Sequence, residues 1–136
     1  MLQQLKYLIK NTPTPSKSGY EFKMQHSFEK RKEEANMLRQ KHVDKIPVIL
    51  EKSDTSRIQT INKQKILLQK DITVGQFLYI IRKQIKLDAT EALFLFVDNR
   101  YIPETSKTIG EVYESHSDKD GFLYVTYSAE QTFGLY

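Results

Sequence analysis

The side chains that could carry out acid–base or nucleophilic chemistry are few in this sequence and lie far apart. The three histidines, His26, His42 and His116, show none of the short spacings that bring imidazoles together on a metal ion. The chain has no cysteine, so it can hold no disulfide, no thiolate–metal site and no thiol nucleophile. A glycine-rich phosphate loop and a nucleophile elbow are also absent from the sequence. We therefore expect no catalytic centre, no metal and no cofactor: the protein is not an enzyme.

The length and hydropathy of the chain favour a single small domain. With 136 residues, of which 39% are hydrophobic, the chain can bury one core with tails but not two full domains. Its longest apolar runs fall short of the roughly 18 residues of a membrane span. The patch from Leu5 to Ile9 is too short for a signal peptide and no small-residue cleavage site follows it. A cytoplasmic location is the expectation.

The charges are distributed unevenly along the chain. Residues 1–70 hold 15 Lys and Arg against 7 Asp and Glu, whereas residues 71–136 hold 6 against 10. Such a basic front half predicts an acidic partner, which could be a peptide, an anionic membrane or a nucleic acid. The alternative is an ordinary solvated basic face, which composition alone favours. A nucleic-acid-binding module would show steep salt dependence, but we do not expect nucleic acid as a partner.

Hydrophobic periodicity predicts the first half of the fold. A charged helix with a sparse apolar stripe is expected from Ser27, its N-cap, to Lys41. Alternation predicts a strand over residues 46–51, with Pro47 marking an edge or the start of the strand. A second strand is expected over residues 65–69. The strongest helical stripe lies between Thr73, a capping residue, and Ile85.

The second half is predicted to add strands and one short helix. We expect a buried strand over residues 92–97, a short strand near Tyr101 and Ile102, a short helix around residues 109–113, and a last strand over residues 122–127. In that last strand Phe122, Tyr124 and Thr126 alternate with Leu123, Val125 and Tyr127. The element order is typical of an α+β domain in which a sheet packs on one long helix.

Both ends of the chain fall outside this pattern. Leu2 to Ile9 have helical spacing, so residues 1–19 are either an amphipathic helix on a linker or a disordered extension, and Met24 is a possible alternative start. The segment from Ser128 to Tyr136 contains little that could join a core, and we expect a mobile tail. Taken alone, Gly134 would be an incidental glycine in that tail.

Several ordered stretches resemble one known family, the autophagy ubiquitin-like modifiers, which include microtubule-associated light-chain-three and GABA-receptor-associated-protein relatives. The stretches are Phe28-Glu29-Lys30-Arg31, Lys45-Ile46-Pro47-Val48-Ile49, Leu67 to Arg82 with Thr73-Val74-Gly75-Gln76-Phe77, Leu93-Phe94-Leu95-Phe96-Val97, and Thr132-Phe133-Gly134. The resemblance implies a ubiquitin-like β-grasp fold with extra N-terminal helices. It divides the chain into an extension (1–19), a helical subdomain (20–41), the β-grasp domain (42–129) and a tail with a processing site (130–136).

The resemblance also gives the tail a function. In the family a cysteine protease cuts after the equivalent of Gly134, which here would release Leu135 and Tyr136. Activating and conjugating enzymes then join the glycine to phosphatidylethanolamine, so the protein would be cytoplasmic until lipidation holds it on the autophagosome membrane. The nearest alternative is a non-conjugated adaptor of the same fold in vesicle trafficking or microtubule binding.

A docking surface for cargo receptors follows from the same resemblance. The strand over residues 65–69 would be an exposed edge that accepts an extended peptide with an aromatic residue and, three positions later, an aliphatic one. The pocket for the aromatic residue would be formed by Glu34, Leu38, Pro47, Lys65, Leu67 and Phe122. The pocket for the aliphatic residue would be formed by Ile66, Leu68, Ile72, Phe77, Ile80 and Ile81, although Phe77 and Ile81 are as readily explained as core residues. Arg31, Lys45, Lys63 and Lys65 would attract acidic residues beside the motif.

The sequence departs from the family pattern at a few positions. The family usually has a proline at Ser27, an aromatic–proline pair at His42-Val43, an aromatic residue at Ile66, a basic residue at Gln84 and a bulkier residue at Gly121, and it lacks one residue near Arg100. The differences at Ile66 and Gln84 bear on which motifs are preferred rather than on the groove itself.

Overall fold

The computed structural model describes residues 19–53, 58–61 and 64–129 of the chain. In chain order the elements are α1 (Glu21–Gln25), α2 (Phe28–Lys41), β1 (Lys45–Lys52), β2 (Lys65–Gln69), α3 (Val74–Ile85), β3 (Phe94–Val97), α4 (Ile109–His116) and β4 (Leu123–Ser128). The expected helix over Leu2 to Ile9 and residues 130–136 of the expected tail lie outside the described residues. The tail was expected from Ser128, and this start is wrong, because Ser128 is the buried last residue of β4, where it pairs with Phe94.

The strands form one mixed sheet in the order β2-β1-β4-β3. The two central strands are parallel, with Val48 opposite Leu123 and Lys52 opposite Tyr127. Each outer strand is antiparallel to its neighbour. Parallel strands need a long crossover, and here the crossover carries α3 and α4. The predicted α+β fold with a mixed sheet on one long helix is confirmed.

The predicted alternation along β4 separates two hydrophobic cores, one on each face of the sheet. Leu123, Val125 and Tyr127 belong to the larger core, which α3 and α4 cover. Phe122 and Tyr124 belong to the smaller core on the opposite face. The even and odd positions of one strand therefore hold the two layers of helices onto the sheet.

The local sequence of α3 explains both its start and its buried face. The Thr73 hydroxyl accepts from the Gln76 N–H, and the Gln76 side chain accepts from the Thr73 N–H, which is a complete capping box. Phe77 and Ile81, one turn apart, are each only 1% exposed. Lys86, in the left-handed conformation, ends the helix. The helix predicted between Thr73 and Ile85 is confirmed.

The two N-terminal helices cover the other face of the sheet. The Ser27 hydroxyl accepts from the Lys30 N–H and caps α2 as predicted, and Ala35 is fully buried beneath that helix. The short α1 was not visible in the pattern of residues, and only the family resemblance implied more than one N-terminal helix. The buried Glu51 carboxylate of β1 accepts from the N–H groups of Glu21 and Phe22 at 3.0 Å each. A side chain about thirty positions away thus satisfies the first turn of α1.

Two strand predictions need correction. The strand expected near Tyr101 and Ile102 is wrong, because Tyr101 makes one isolated bridge to Val97 and Ile102 is half exposed. The turn explains this: Asp98 and Asn99 both have positive φ, which returns the chain to Val97 at once. The strand expected from residue 92 begins at Phe94.

Candidate peptide-docking edge

β2 lies at the edge of the sheet. The hydrogen bonds at its two ends show which of its residues bond to β1 and which direct their backbone groups away from it. The Leu50 N–H donates to the Gln64 carbonyl at 2.7 Å, and the Lys70 N–H donates to the Asp44 carbonyl at 3.1 Å. Both pairs follow the register of β1 and β2. Because hydrogen-bonded and non-hydrogen-bonded pairs alternate in an antiparallel ladder, the even-numbered residues of β2 bond to β1. The odd-numbered residues therefore turn their backbone groups outward.

The outward-facing residues are Lys65, Leu67 and Gln69. Among the described residues no strand pairs with this side of β2. Pro47 lies opposite Leu67, at a non-hydrogen-bonded position of the β1–β2 ladder, and the parallel ladder with β4 begins only at Val48. The missing N–H of the proline consequently costs no ladder bond. Pro47 is the third residue of β1 and precedes the first pair with β4, so it lies near the start of the strand, as predicted, although β1 is not itself an edge strand.

The side chains of the predicted aromatic pocket lie on the face of the sheet that α2 covers. Lys65 forms an ion pair with Glu34 of α2, and Leu38 of the same helix is half-buried against the smaller core. Leu67 is half-buried on β2 and Pro47 is buried beside it in the ladder. Phe122 is fully buried, so the structure places it in the floor beneath this group rather than at its surface.

The side chains of the predicted aliphatic pocket lie on the opposite face, between β2 and α3. Ile66, Leu68 and Ile72 are half-buried against the larger core, and Ile80 is 42% exposed. Phe77 and Ile81 lie fully in that core. A shallow concavity that no sequence pattern predicted continues from this group. Its lining residues are Ile72, Thr73, Gly75, Gln76, Tyr79, Ile80, Thr105 and Ser106.

The flanking charges fall into different environments. Arg31 donates to the buried Asp120 carboxylate at 2.6 Å, and its side chain is only 11% exposed. Burial opposes the charge of Arg31, but the hydrogen bond to Tyr124 and the Asp120 carboxylate raise its pKa overall. Burial and the hydrogen bond donated to Asp120 raise the pKa of Tyr124. The structure thus gives Arg31 an internal partner, whereas Lys45 is half-buried at the start of β1 and Lys63 lies outside the described residues.

The histidines are not brought together. The His116 ring stacks on Tyr101 with centroids 3.9 Å apart, and the His26 ring packs against Phe22 at 4.6 Å. His42 ends α2, where its N–H donates to the Leu38 carbonyl. The His26 contact lies within α1 and its C-cap, and the His116 contact joins the end of α4 to the turn that follows β3.

A mixed four-stranded sheet, packed on a long helix that lies in the crossover between its two parallel strands, is the architecture of a ubiquitin-like protein. The sequence profile of the family described as "Autophagy protein Atg8 ubiquitin like" matches residues 30–134. The chain belongs to this Atg8 family, as its residues predicted, and it is a ubiquitin-like modifier of autophagy.

Individual relatives agree with this assignment. Autophagy-related protein 8 of Mycosarcoma maydis is 57% identical over 113 residues, which cover 83% of this chain and 95% of that protein. Autophagy-related protein 8e of Arabidopsis thaliana is 54% identical over 116 residues, covering 85% of this chain and 94% of that one. The crystal structure of Trypanosoma brucei ATG8 superposes with a TM-score of 0.77 at 38% identity, covering 86% of this chain and all of that chain. Within the described part of this chain, no helix is long and apolar enough to cross a membrane.

Proposed function

We propose that the chain is cut after Gly134 and joined through that glycine to phosphatidylethanolamine on autophagosomal membranes. The family profile ends at residue 134, directly before Leu135 and Tyr136. Gly134 itself lies outside the described residues. A processing cysteine protease would hydrolyse the Gly134–Leu135 peptide bond, and activating and conjugating enzymes would form the amide between the glycine carboxyl and the lipid amine. A residue without a side chain suits the narrow clefts of such enzymes.

The second part of the proposal is that the β2 edge docks short motifs of cargo receptors. Its strongest support is that Lys65 and Leu67 direct backbone groups outward while half-buried apolar side chains lie on both faces of the same strand. A peptide added to β2 would continue the sheet, and residues three positions apart in a strand point to opposite faces. An aromatic residue would then reach the α2 face near Leu67, and an aliphatic residue three positions later would reach the α3 face near Ile66.

The size of this surface indicates a moderate affinity. An aromatic side chain that buries about 200 Å² would contribute roughly 5 kcal/mol before association costs. Backbone hydrogen bonds and the aliphatic residue offset the lost translational and side-chain freedom, which leaves a net affinity of about micromolar.

The conjugation proposal is tested by intact-mass measurement after incubation of the full chain in an autophagy-competent cell lysate. The expected result is loss of Leu135 and Tyr136 followed by the mass increase of one phosphatidylethanolamine. Gly134→Ala should show neither conjugation nor efficient cleavage. Gly19→Ala is the matched control, because an added Cβ there meets nothing within 4 Å and the residue precedes the family match.

An unchanged mass of the unaltered chain, in a lysate that lipidates a known family member, would contradict the conjugation proposal. It would favour the alternative of a non-conjugated adaptor. Full lipidation of Gly134→Ala would contradict the assignment of the attachment site.

A further inference from the structure

Four side chains of β3 and β4 lie together on the face of the sheet that α1 and α2 also cover. Phe94 is opposite Ser128 and Phe96 is opposite Thr126 in the antiparallel ladder, so the two side chains of each pair share one face. Thr126 and Ser128 continue the alternation that places Tyr124 in the smaller core. We call Phe94, Phe96, Thr126 and Ser128 the β3 face.

The β3 face is buried, but its two phenylalanines belong to neither core of the described residues. Phe96 and Ser128 are fully buried, Thr126 is nearly so, and Phe94 is half-buried. The smaller core, which holds α1 and α2 on the sheet, includes neither phenylalanine, and the larger core lies on the opposite face. An aromatic side chain is fully buried only where other side chains pack on it. A further segment of the chain is therefore needed over the β3 face.

The chain enters the described part of the domain beside the β3 face. Tyr20 is buried, and its ring packs on the Tyr124 ring with centroids 5.0 Å apart. The Thr126 hydroxyl donates to Asn99 Oδ1 at 2.8 Å and lies 2.9 Å from the Tyr20 hydroxyl. Because residues 1–18 directly precede Gly19 and Tyr20, they join the domain next to the β3 face.

The sequence of residues 1–18 suits an apolar surface of this size. Leu2, Leu5, Leu8 and Ile9 recur at helical spacing. The eight residues from 2 to 9 would measure about 12 Å as a helix, and the four residues of β3 span about 13 Å. Residues 10–18 link the two and reach about 30 Å when extended, so the link is long enough.

The charges also favour this pairing. Residues 1–18 hold three lysines and no Asp or Glu. The place where they join the domain has carboxylates nearby: burial raises the pKa of Tyr20, and the neighbouring Asp98 and Glu51 raise it further. Asp98 also pairs with Arg100 at the surface. A basic segment is therefore drawn toward the β3 face and an acidic one is not.

We propose that residues 2–9 pack on the β3 face of their own chain, as an amphipathic helix whose aliphatic stripe covers Phe94 and Phe96. The segment from residue 130 onward leaves β4 at the same place, but it begins with Glu130 and has no aliphatic stripe. While residues 2–9 are docked, the β3 face is closed to partners. β3 is the edge strand opposite to β2, so the inference is independent of the docking function proposed for β2.

The test measures how fast a single thiol on the β3 face is labelled. Because the full chain has no cysteine, Ser128→Cys supplies the only thiol, at a fully buried position and with little change in size. Leu5→Gln should speed its labelling by a disulfide reagent about tenfold, since it removes the central residue of the stripe. Tyr7→Gln is the matched control, because Tyr7 lies opposite the stripe at helical spacing, and it should leave the rate unchanged.

Two further measurements separate uncovering of the β3 face from loosening of the whole domain. Val125→Cys places the thiol in the larger core, on the other face of β4, and Leu5→Gln should not change its labelling. Amide hydrogen exchange of residues 94–97 in the cysteine-free chain should become faster in Leu5→Gln and not in Tyr7→Gln, which tests the inference even if Ser128→Cys does not fold.

Unchanged labelling and exchange in Leu5→Gln would overturn the inference, as would equal acceleration of Ser128→Cys and Val125→Cys. Acceleration by Phe133→Gln and not by Leu5→Gln would assign the β3 face to the C-terminal tail instead. Protection of Ser128→Cys that disappears on dilution would assign it to residues 2–9 of a second copy of the chain.

Discussion

The outward-facing backbone of Leu67 can be tested with a proline. Leu67 occupies a non-hydrogen-bonded position opposite Pro47, so its N–H points away from β1. Leu67→Pro removes that outward donor and leaves the β1–β2 ladder bonds in place. Leu67→Ala is the matched variant, because it removes the same side chain and keeps the N–H. Any difference between the two variants therefore reports on the backbone group.

The expected difference follows from the worth of one hydrogen bond. A backbone hydrogen bond contributes about 1 kcal/mol net, so Leu67→Pro should bind a motif peptide roughly fivefold more weakly than Leu67→Ala. Ile66→Pro should behave differently, since the N–H of Ile66 belongs to the pairs that bond to β1. Leaving the carbonyl opposite it unsatisfied should lower the free energy of unfolding by about 1–3 kcal/mol.

The assay is titration of a tryptophan-containing peptide, followed by its fluorescence, with urea unfolding of each variant as the check on folding. Equal dissociation constants for Leu67→Pro and Leu67→Ala, with both variants folded, would refute strand addition at β2. If Leu67→Pro lowered the free energy of unfolding as much as Ile66→Pro, the assignment of outward-facing backbone groups to Leu67 would be refuted.

Two further predictions concern stability. Burial opposes ionisation of Asp118, but the bond from Lys23 at 2.6 Å and the N–H of Asp120 outweigh it, so the pKa of Asp118 lies below its ordinary value of 3.8. In acid the unfolded chain therefore binds more protons than the folded protein, so the stability that ionised Asp118 contributes is present above pH 3.8 and is lost as the pH falls through the folded pKa. Asp118→Asn should reduce the fall in the free energy of unfolding below about pH 4, measured by urea unfolding at several pH values. The same pH dependence in the variant and the unaltered chain would contradict this role of Asp118. Gly121 has a φ of +97°, and a Cβ added there would lie 3.0 Å from the Ala35 Cβ. Gly121→Ala should therefore lower the free energy of unfolding by about 1–3 kcal/mol. Gly19→Ala is the control and should not change the free energy of unfolding, because an added Cβ there meets nothing within 4 Å. Equal stability of the two alanine variants in urea would show that α2 can move away from the turn.

The elements that the sequence predicted well are those whose stability is local. The helix after Thr73 combines a capping box with a full apolar stripe, and both signals lie within its own residues. β2 also agrees with its predicted range, although it is held by pairing with β1. In contrast, α1 buries only Phe22 of its five residues and depends on the distant Glu51 for its cap. No local pattern could have indicated it.

The docking edge could be predicted from the sequence only through the family resemblance. That β2 is an edge depends on β1 pairing with β4, whose residues lie about 75 positions away in the chain. Periodicity placed Phe77 and Ile81 on one helical face but could not separate a pocket wall from a core, and their full burial assigns them to the core. Nor could the sequence predict that Arg39, Lys45 and Lys70 line one concavity, because only the packing of three elements brings these residues together.

The uneven charge of the sequence serves ion pairs within the fold as well as contacts with partners. Lys23 and Arg31, from the basic front half, pair with Asp118 and Asp120, from the acidic rear half. These two bridges join the N-terminal helices to the segment before β4, and Asp120 is fully buried. Since a buried carboxylate without its partner is costly, the pairing stabilises the position of α1 and α2 over the sheet. Part of the charge asymmetry thus holds the helical layer on the domain.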